Sequence, residues 1–382
     1  MATQQVNERL AALTSAGTSI WLDQIKRALI STGELQRLVA EDSLRGVTSN
    51  PTIFNAAILG SEDYDDQLAE LARAGKDNRE IYQELAIRDI QDACDVLRVV
   101  YDESGGVDGF VSFEVDPDLA FDTHRTMEQA REYWARVDRP NLMIKIPGTK
   151  EGTPAIEEMI YEGRNINVTL LFGVEEYAQV AEAYIRGLER RLADGESVDV
   201  ASVASFFVSR VDTEIDKRLD AIGTDPATAL KGRAAIANAR LAYQAYEEVF
   251  STERWQVLAD AGARPQRPLW ASTGVKDPAY PDTMYVTELV APNTVNTMPA
   301  KTLDAVADHG AIAGDTVRGR YDEATALLDA LDAQGIGYAE VVELLEREGV
   351  AKFEKSWTEL LSTVSDEMAR LSVSNSAEEA GQ

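Results

Sequence analysis

Short apolar, β-branched runs alternate with helix-length amphipathic segments along most of the chain, and this alternation constrains the fold more than any other feature. TSIWLD, RGVTSN, GFVSFEVD, NLMIKIP, NINVTLLF, SVASFFVS, RPLWAST and MYVTELVAP read as strands. Between them lie segments such as DNREIYQELAIRDIQDACDVLRVVYDE and VEEYAQVAEAYIRGLERRLADG, whose apolar residues recur at helical spacing. Strands alternating with helices build βα units and a parallel sheet. About eight such units predict a single (β/α)8 barrel of the TIM type rather than an open doubly wound sheet. No Gly-x-Gly-x-x-Gly follows the first run and no Walker-type loop occurs, which argues against a nucleotide fold. Extra helices are expected near Val6–Leu13 and over Thr316–Leu371. Residues 1–371 thus read as one barrel domain with N- and C-terminal helical additions, and 372–382 (SVSNSAEEAGQ) as a flexible acidic tail.

Composition limits the partners. Lys and Arg number 37 against 66 Asp and Glu, a net charge of −29. Such a surface repels nucleic-acid backbones and anionic membranes. An anionic substrate would need a local cationic pocket inside a hostile overall field. One cysteine, Cys94, excludes an internal disulfide and fits a reducing compartment. Only two histidines occur, His124 and His309, both in surface-type helical sequence, which leaves little for a metal centre or a Ser-His-Asp triad. No metal and no cofactor is expected. The first residues lack a signal-peptide pattern and no run approaches about 20 apolar residues, so the reading is a soluble cytoplasmic protein.

Nearly every strand ends on or near a polar residue. Asp23 follows SIWL, Asn50 ends VTSN, Glu114 ends VSFE and Ser272 follows LWA, while Asn167, Thr169 and Ser205 lie inside their strands. Barrel enzymes draw their sites from the C-terminal ends of several strands. Strands must also stop somewhere, so any one such residue has a plain alternative; the repetition is the signal. Lys145 in LMIKIP is the sharpest case, because both faces of a barrel strand are covered. Burial disfavours an ammonium, and a neutral amine is what Schiff-base chemistry on a ketone requires. The alternative is a lysine that snorkels outward or pairs with a barrel carboxylate. Asn167 and Thr169 share a face and suit a polyhydroxylated ligand, although both could cap neighbouring strands. Arg210, where the sixth strand turns into a helix, is a candidate phosphate seat; the competing reading pairs it with Asp212 or Glu214. Lys276 lies in the loop after the seventh strand, where barrels often bind phosphate.

These segments together resemble the transaldolase family, whose members transfer a three-carbon aldol unit in the pentose phosphate pathway. GVTSNPTIF, VSFEVDP, LMIKIPGTKEG, INVTLLF, SFFVSRVD and WASTGVKDPAYPDTMYV occur in the family's order from about Ser19 to Pro299. The KIPGTKEG and INVTLLF pair is the most specific part, and the long spacers resemble the longer bacterial branch, close to plant sequences. The resemblance implies that Lys145 forms a Schiff base with a ketose phosphate and that Asp23 is the acid/base at the C4 hydroxyl. It implies that Glu114 and Thr169 hold the catalytic water, that Asn50 and Asn167 hydrogen-bond the dihydroxyacetone unit, and that Ser205 and Phe207 line the pocket. Arg210 and Ser272 would bind phosphate. Many transaldolases carry Ser-Phe-Arg after the seventh strand, whereas this chain has Ser272-Thr273-Gly274. Lys276 is the expected substitute for the missing arginine.

Two other functions fit parts of the pattern. A fructose-6-phosphate aldolase-like lyase would release free dihydroxyacetone, but such enzymes use a Tyr-activated water where this chain has Glu114. A non-catalytic sugar-phosphate sensor would not need Lys145, Asp23 and Glu114 together. Similar enzymes are often homodimers, though no segment of this chain identifies an interface.

Overall fold

The computed structural model describes residues 6–380. Eight strands form a closed barrel in which each pairs with its sequence neighbours: β1 (Thr18–Leu22), β2 (Leu44–Thr48), β3 (Phe110–Glu114), β4 (Leu142–Pro147), β5 (Ile166–Leu171), β6 (Ser202–Phe207), β7 (Arg267–Ala271) and β8 (Thr294–Met298). All pairings are parallel and β1 closes on β8. The expected (β/α)8 barrel is the observed one.

One strand was misplaced by the sequence reading. MYVTELVAP is a short helix, Met284–Thr287, followed by loop, and β8 is the next segment, TVNTM. The run is apolar because Met284, Tyr285, Val286, Leu289, Val290 and Ala291 are all buried. A short buried run has the same composition whether helix or strand, so periodicity cannot separate the two. Its backbone is tied down by strand side chains: Trp270 Nε1 donates to the Leu289 carbonyl at 3.0 Å and Asn296 Nδ2 to that of Tyr285 at 3.0 Å.

The flanking helices fall close to expectation. The first covers Glu8–Ser15, capped by the Asn7 side chain. Helix Asn78–Glu103 begins with a capping box between Asp77 and Glu80. The stretch without strand pattern holds helices Tyr321–Ala333 and Tyr338–Ala380. The residues read as a tail continue the backbone of the latter to Ala380, and 381–382 lie outside the described residues. No described helix is long and apolar enough to cross a membrane.

The barrel interior is filled in layers, as eight strands require. Gly46 on β2 has no side chain where the Trp21 indole lies; a Cβ there would fall 2.4 Å from Trp21 Cδ2. At the N-terminal end Arg267 is buried and donates to Asp108 at 3.0 Å and to Ser19 at 3.0 Å. Above that floor runs a polar layer: Ser205 Oγ donates to Asn167 Oδ1 at 2.7 Å, and Asn167 Nδ2 donates to Ser112 Oγ at 2.9 Å. Helix Tyr338–Ala380 packs against helix Pro51–Ile58, helix Ser209–Ile222 and β5, which brings it over the C-terminal ends of the strands.

Candidate active site

Strand register assembles the centre of the site. Glu114 on β3 pairs in register with Lys145 on β4, and Lys145 with Asn167 on β5, so the three share one face of the sheet. Lys145 and Glu114 are both buried, and Nζ donates to Glu114 Oε2 at 3.1 Å. A second bond runs from Nζ to the Ser49 carbonyl at 3.2 Å. The carboxylate pairing weighed for Lys145 is therefore present. It satisfies a buried ammonium that would otherwise cost several kcal/mol, and it holds the amine at the cavity wall. Burial pushes the Glu114 carboxyl above its usual range, against the opposing pull of Lys145.

Asp23 follows β1 and is positioned by a threonine relay. Thr48 Oγ1 donates to Asp23 Oδ1 at 2.7 Å, and the Thr48 and Thr297 hydroxyls lie 2.7 Å apart. Burial raises the Asp23 pKa, opposed by the charge of Lys145, the Thr48 bond and the charges of Lys276 and Arg210. Two carboxyls whose pKa burial raises, beside a lysine amine, suit proton transfer.

A cavity of about 120 Å³ opens above these groups, lined by Asp23, Asn50, Lys145, Thr169, Ser205, Phe207, Arg210, Ser272 and Lys276 among others. It gathers nine of the eleven residues singled out from the sequence. The other two sit one layer deeper, Glu114 behind Lys145 and Asn167 beneath Ser205. Asn50 also caps the helix Pro51–Ile58, its Oδ1 accepting from Ile53 N at 3.0 Å. Thr169 Oγ1 is buried with no hydrogen-bond partner among the described residues, which leaves that hydroxyl open to a ligand.

The cationic rim took shape differently from the competing reading. Asp212 is engaged by Tyr285 and Ala235, and Glu214 by Lys217 and Arg218, so neither pairs with Arg210. Arg210 Nη1 is instead buried without a hydrogen-bond partner among the described residues. Ser272 has left-handed backbone, φ 55, and its hydroxyl lies 2.9 Å from that of Ser209 at the start of the Arg210 helix. The turn directs the following loop back over the cavity, where Gly274 and Lys276 line it.

Sequence reading missed Thr48, Thr297, the Ser49 carbonyl and Phe353, all in contact with or lining the cavity. Thr48 was visible two residues before Asn50 in VTSN. Thr297 was hidden by the misplaced strand, and Phe353 lies on a helix that carried no chemical signal.

Residues 20–364 match the family model described as Transaldolase/Fructose-6-phosphate aldolase. The chain belongs to that family. It is 58% identical over 361 residues to the transaldolase of Thermobifida fusca, covering 94% of this chain and 98% of the relative. The transaldolase of Parafrankia sp. is 56% identical over 364 residues, 95% and 99% of the two chains. Transaldolase 2 of Streptomyces coelicolor is 55% identical over 370 residues, 97% and 100%. Enzymes of this kind are transferases, and this chain is one of them.

Proposed function

We propose that this transaldolase works through a Schiff base on Lys145, moving a dihydroxyacetone unit from a ketose phosphate (sedoheptulose 7-phosphate or fructose 6-phosphate) to an aldose phosphate (glyceraldehyde 3-phosphate or erythrose 4-phosphate). The buried Lys145 amine, paired with Glu114 and facing the cavity, carries the reading. The amine attacks the C2 carbonyl, and loss of water gives the protonated imine. Asp23 takes the C4 hydroxyl proton as the C3–C4 bond breaks, its electrons flow into the imine, and the aldose phosphate departs. The enamine left behind attacks the acceptor aldehyde, Asp23 returns the proton to the new hydroxyl, and hydrolysis frees Lys145. Glu114 and the unpartnered Thr169 hydroxyl hold the water that leaves and returns. Asn50 and, from the layer beneath Ser205, Asn167 hydrogen-bond the hydroxyls of the bound unit, and Ser205 and Phe207 wall it in. Arg210, Ser272 and Lys276 receive phosphate, with Lys276 standing in for the absent arginine.

Borohydride reduction in the presence of fructose 6-phosphate, followed by peptide mass analysis, tests this. A dihydroxyacetone-derived adduct on Lys145 is expected; an unmodified Lys145 peptide from active, treated enzyme would overturn it. An assay for free dihydroxyacetone without acceptor separates transfer from lyase activity. A cytoplasmic setting fits the single, buried Cys94. The reading includes a homodimer, and a monomer mass by light scattering would remove that part.

A further inference from the structure

Phe353 belongs to neither the barrel nor any motif discussed above, yet its ring forms part of the cavity wall. It is 5% exposed. The ring centroid lies 5.9 Å from Arg210 Cζ and 5.8 Å from Lys145 Nζ. Phe207 approaches the same guanidinium at 5.0 Å. With Asp212 and Glu214 bonded elsewhere, these two rings pack against Arg210 while Asp23, Glu114 and Glu348 act on it through charge alone, and its buried Nη1 stays unpartnered among the described residues. An arginine held against aromatic faces keeps its in-plane N–H groups available for a bidentate anion.

The helix also fixes where Phe353 sits. One turn before it, Gly349 packs so closely that a Cβ would lie 3.2 Å from both Leu170 Cδ2 and Phe172 Cε2. One turn after it, Trp357 meets Tyr82 edge-on at 5.1 Å and lies under Arg79 at 5.3 Å. Phe172 in turn contacts Phe207 at 5.2 Å, which closes a loop of contacts around the guanidinium.

We propose that Phe353 is a positioning residue for Arg210 and thereby sets the preference for phosphorylated over unphosphorylated sugars. The proposal rests on Arg210 being a phosphate anchor, as argued above. The aromatic ring holds the guanidinium without consuming its hydrogen-bond donors, which a carboxylate partner would do.

The measurement is kcat/KM for erythrose 4-phosphate and for erythrose as acceptors, taken as a ratio. Phe353→Leu should lower that ratio about 3- to 10-fold, the range of a partly desolvated cation–π contact. Phe353→Tyr, which retains a π face, should hold it within about twofold. If Phe353→Leu does not accumulate as folded protein, Phe353→Met carries the same expectation. In an Arg210→Ala background the change at position 353 should no longer move the ratio. Leu360→Ala, buried on the same helix and away from the cavity, should lower the Tm without shifting the ratio. An unchanged ratio in Phe353→Leu, an equal shift in Leu360→Ala, or a persistent effect in Arg210→Ala would each overturn the proposal. If Arg210→Ala itself leaves the ratio unchanged, the phosphate role of Arg210 fails first, and that result is distinct from the others.

Discussion

Lys145 and Glu114 are worth more together than apart. A buried ammonium left without its carboxylate typically destabilises a protein by about 3–5 kcal/mol, whereas the intact pair is close to neutral in energy. Glu114→Gln keeps the shape and removes the charge. It should lower the Tm and reduce kcat about 100-fold, the scale of a lost acid–base contact; steady-state kinetics and calorimetry check both. An unchanged kcat would confine Glu114 to a structural part. Asp212, near the start of helix Ser209–Ile222, provides a pH test. Burial pushes its pKa up to about 6 from 3.8, against hydrogen bonds from Ala235 N and the Tyr285 hydroxyl. Because the folded pKa is the higher one, its contribution to stability is full below pH 3.8 and is lost as pH rises through about 6. The Tm of the wild type relative to Asp212→Asn should therefore fall between about pH 4 and 6 and then level off. A difference that is constant with pH would contradict the raised value. Side chains at strand ends were legible beforehand because a strand alternates with period two, so residue type and parity place a group. Their partners were not: Thr48 with Asp23, or Lys145 with the Ser49 carbonyl, join segments far apart in sequence.

At the level of elements, seven strands could be read directly and the eighth could not. TVNTM is rich in threonine and asparagine because its polar side chains find partners inside the fold, Thr294 in Thr18, Asn296 Nδ2 in the Tyr285 carbonyl and Thr297 in Thr48. Local composition cannot reveal partners supplied by other elements. The C-terminal helix was likewise legible as a helix, while its seat on the barrel was not, since that depends on the missing side chain at Gly349. Gly349→Val should lift this segment off Leu170 and Phe172. The expected outcome is a KM for the phosphorylated acceptor raised several-fold with a Tm lower by a few degrees, about 1–3 kcal/mol of overpacking. Unaltered KM and Tm would show that the helix can shift without consequence.

For the whole molecule, the −29 charge and the cationic rim of the cavity oppose one another over different distances. Screening acts first on the longer-range field: the Debye length is about 30 Å at 0.01 M salt and about 10 Å at 0.1 M, while contacts inside a buried site span a few Å. Raising ionic strength from about 10 to 100 mM should therefore increase kcat/KM for the phosphorylated acceptor and leave that for erythrose nearly flat. A monotonic fall would mean that local attraction dominates even at long range. The polar layers beneath Lys145 have a kinetic consequence. The Arg267, Asp108 and Ser19 cluster and the Asn167 layer lie on the N-terminal side of Lys145, and the amine meets the cavity on the other side. The departing aldose must vacate the same opening the incoming one uses, while the three-carbon fragment stays tethered. Initial rates at varied donor and acceptor should then give parallel double-reciprocal lines, and each aldose should inhibit competitively against the other.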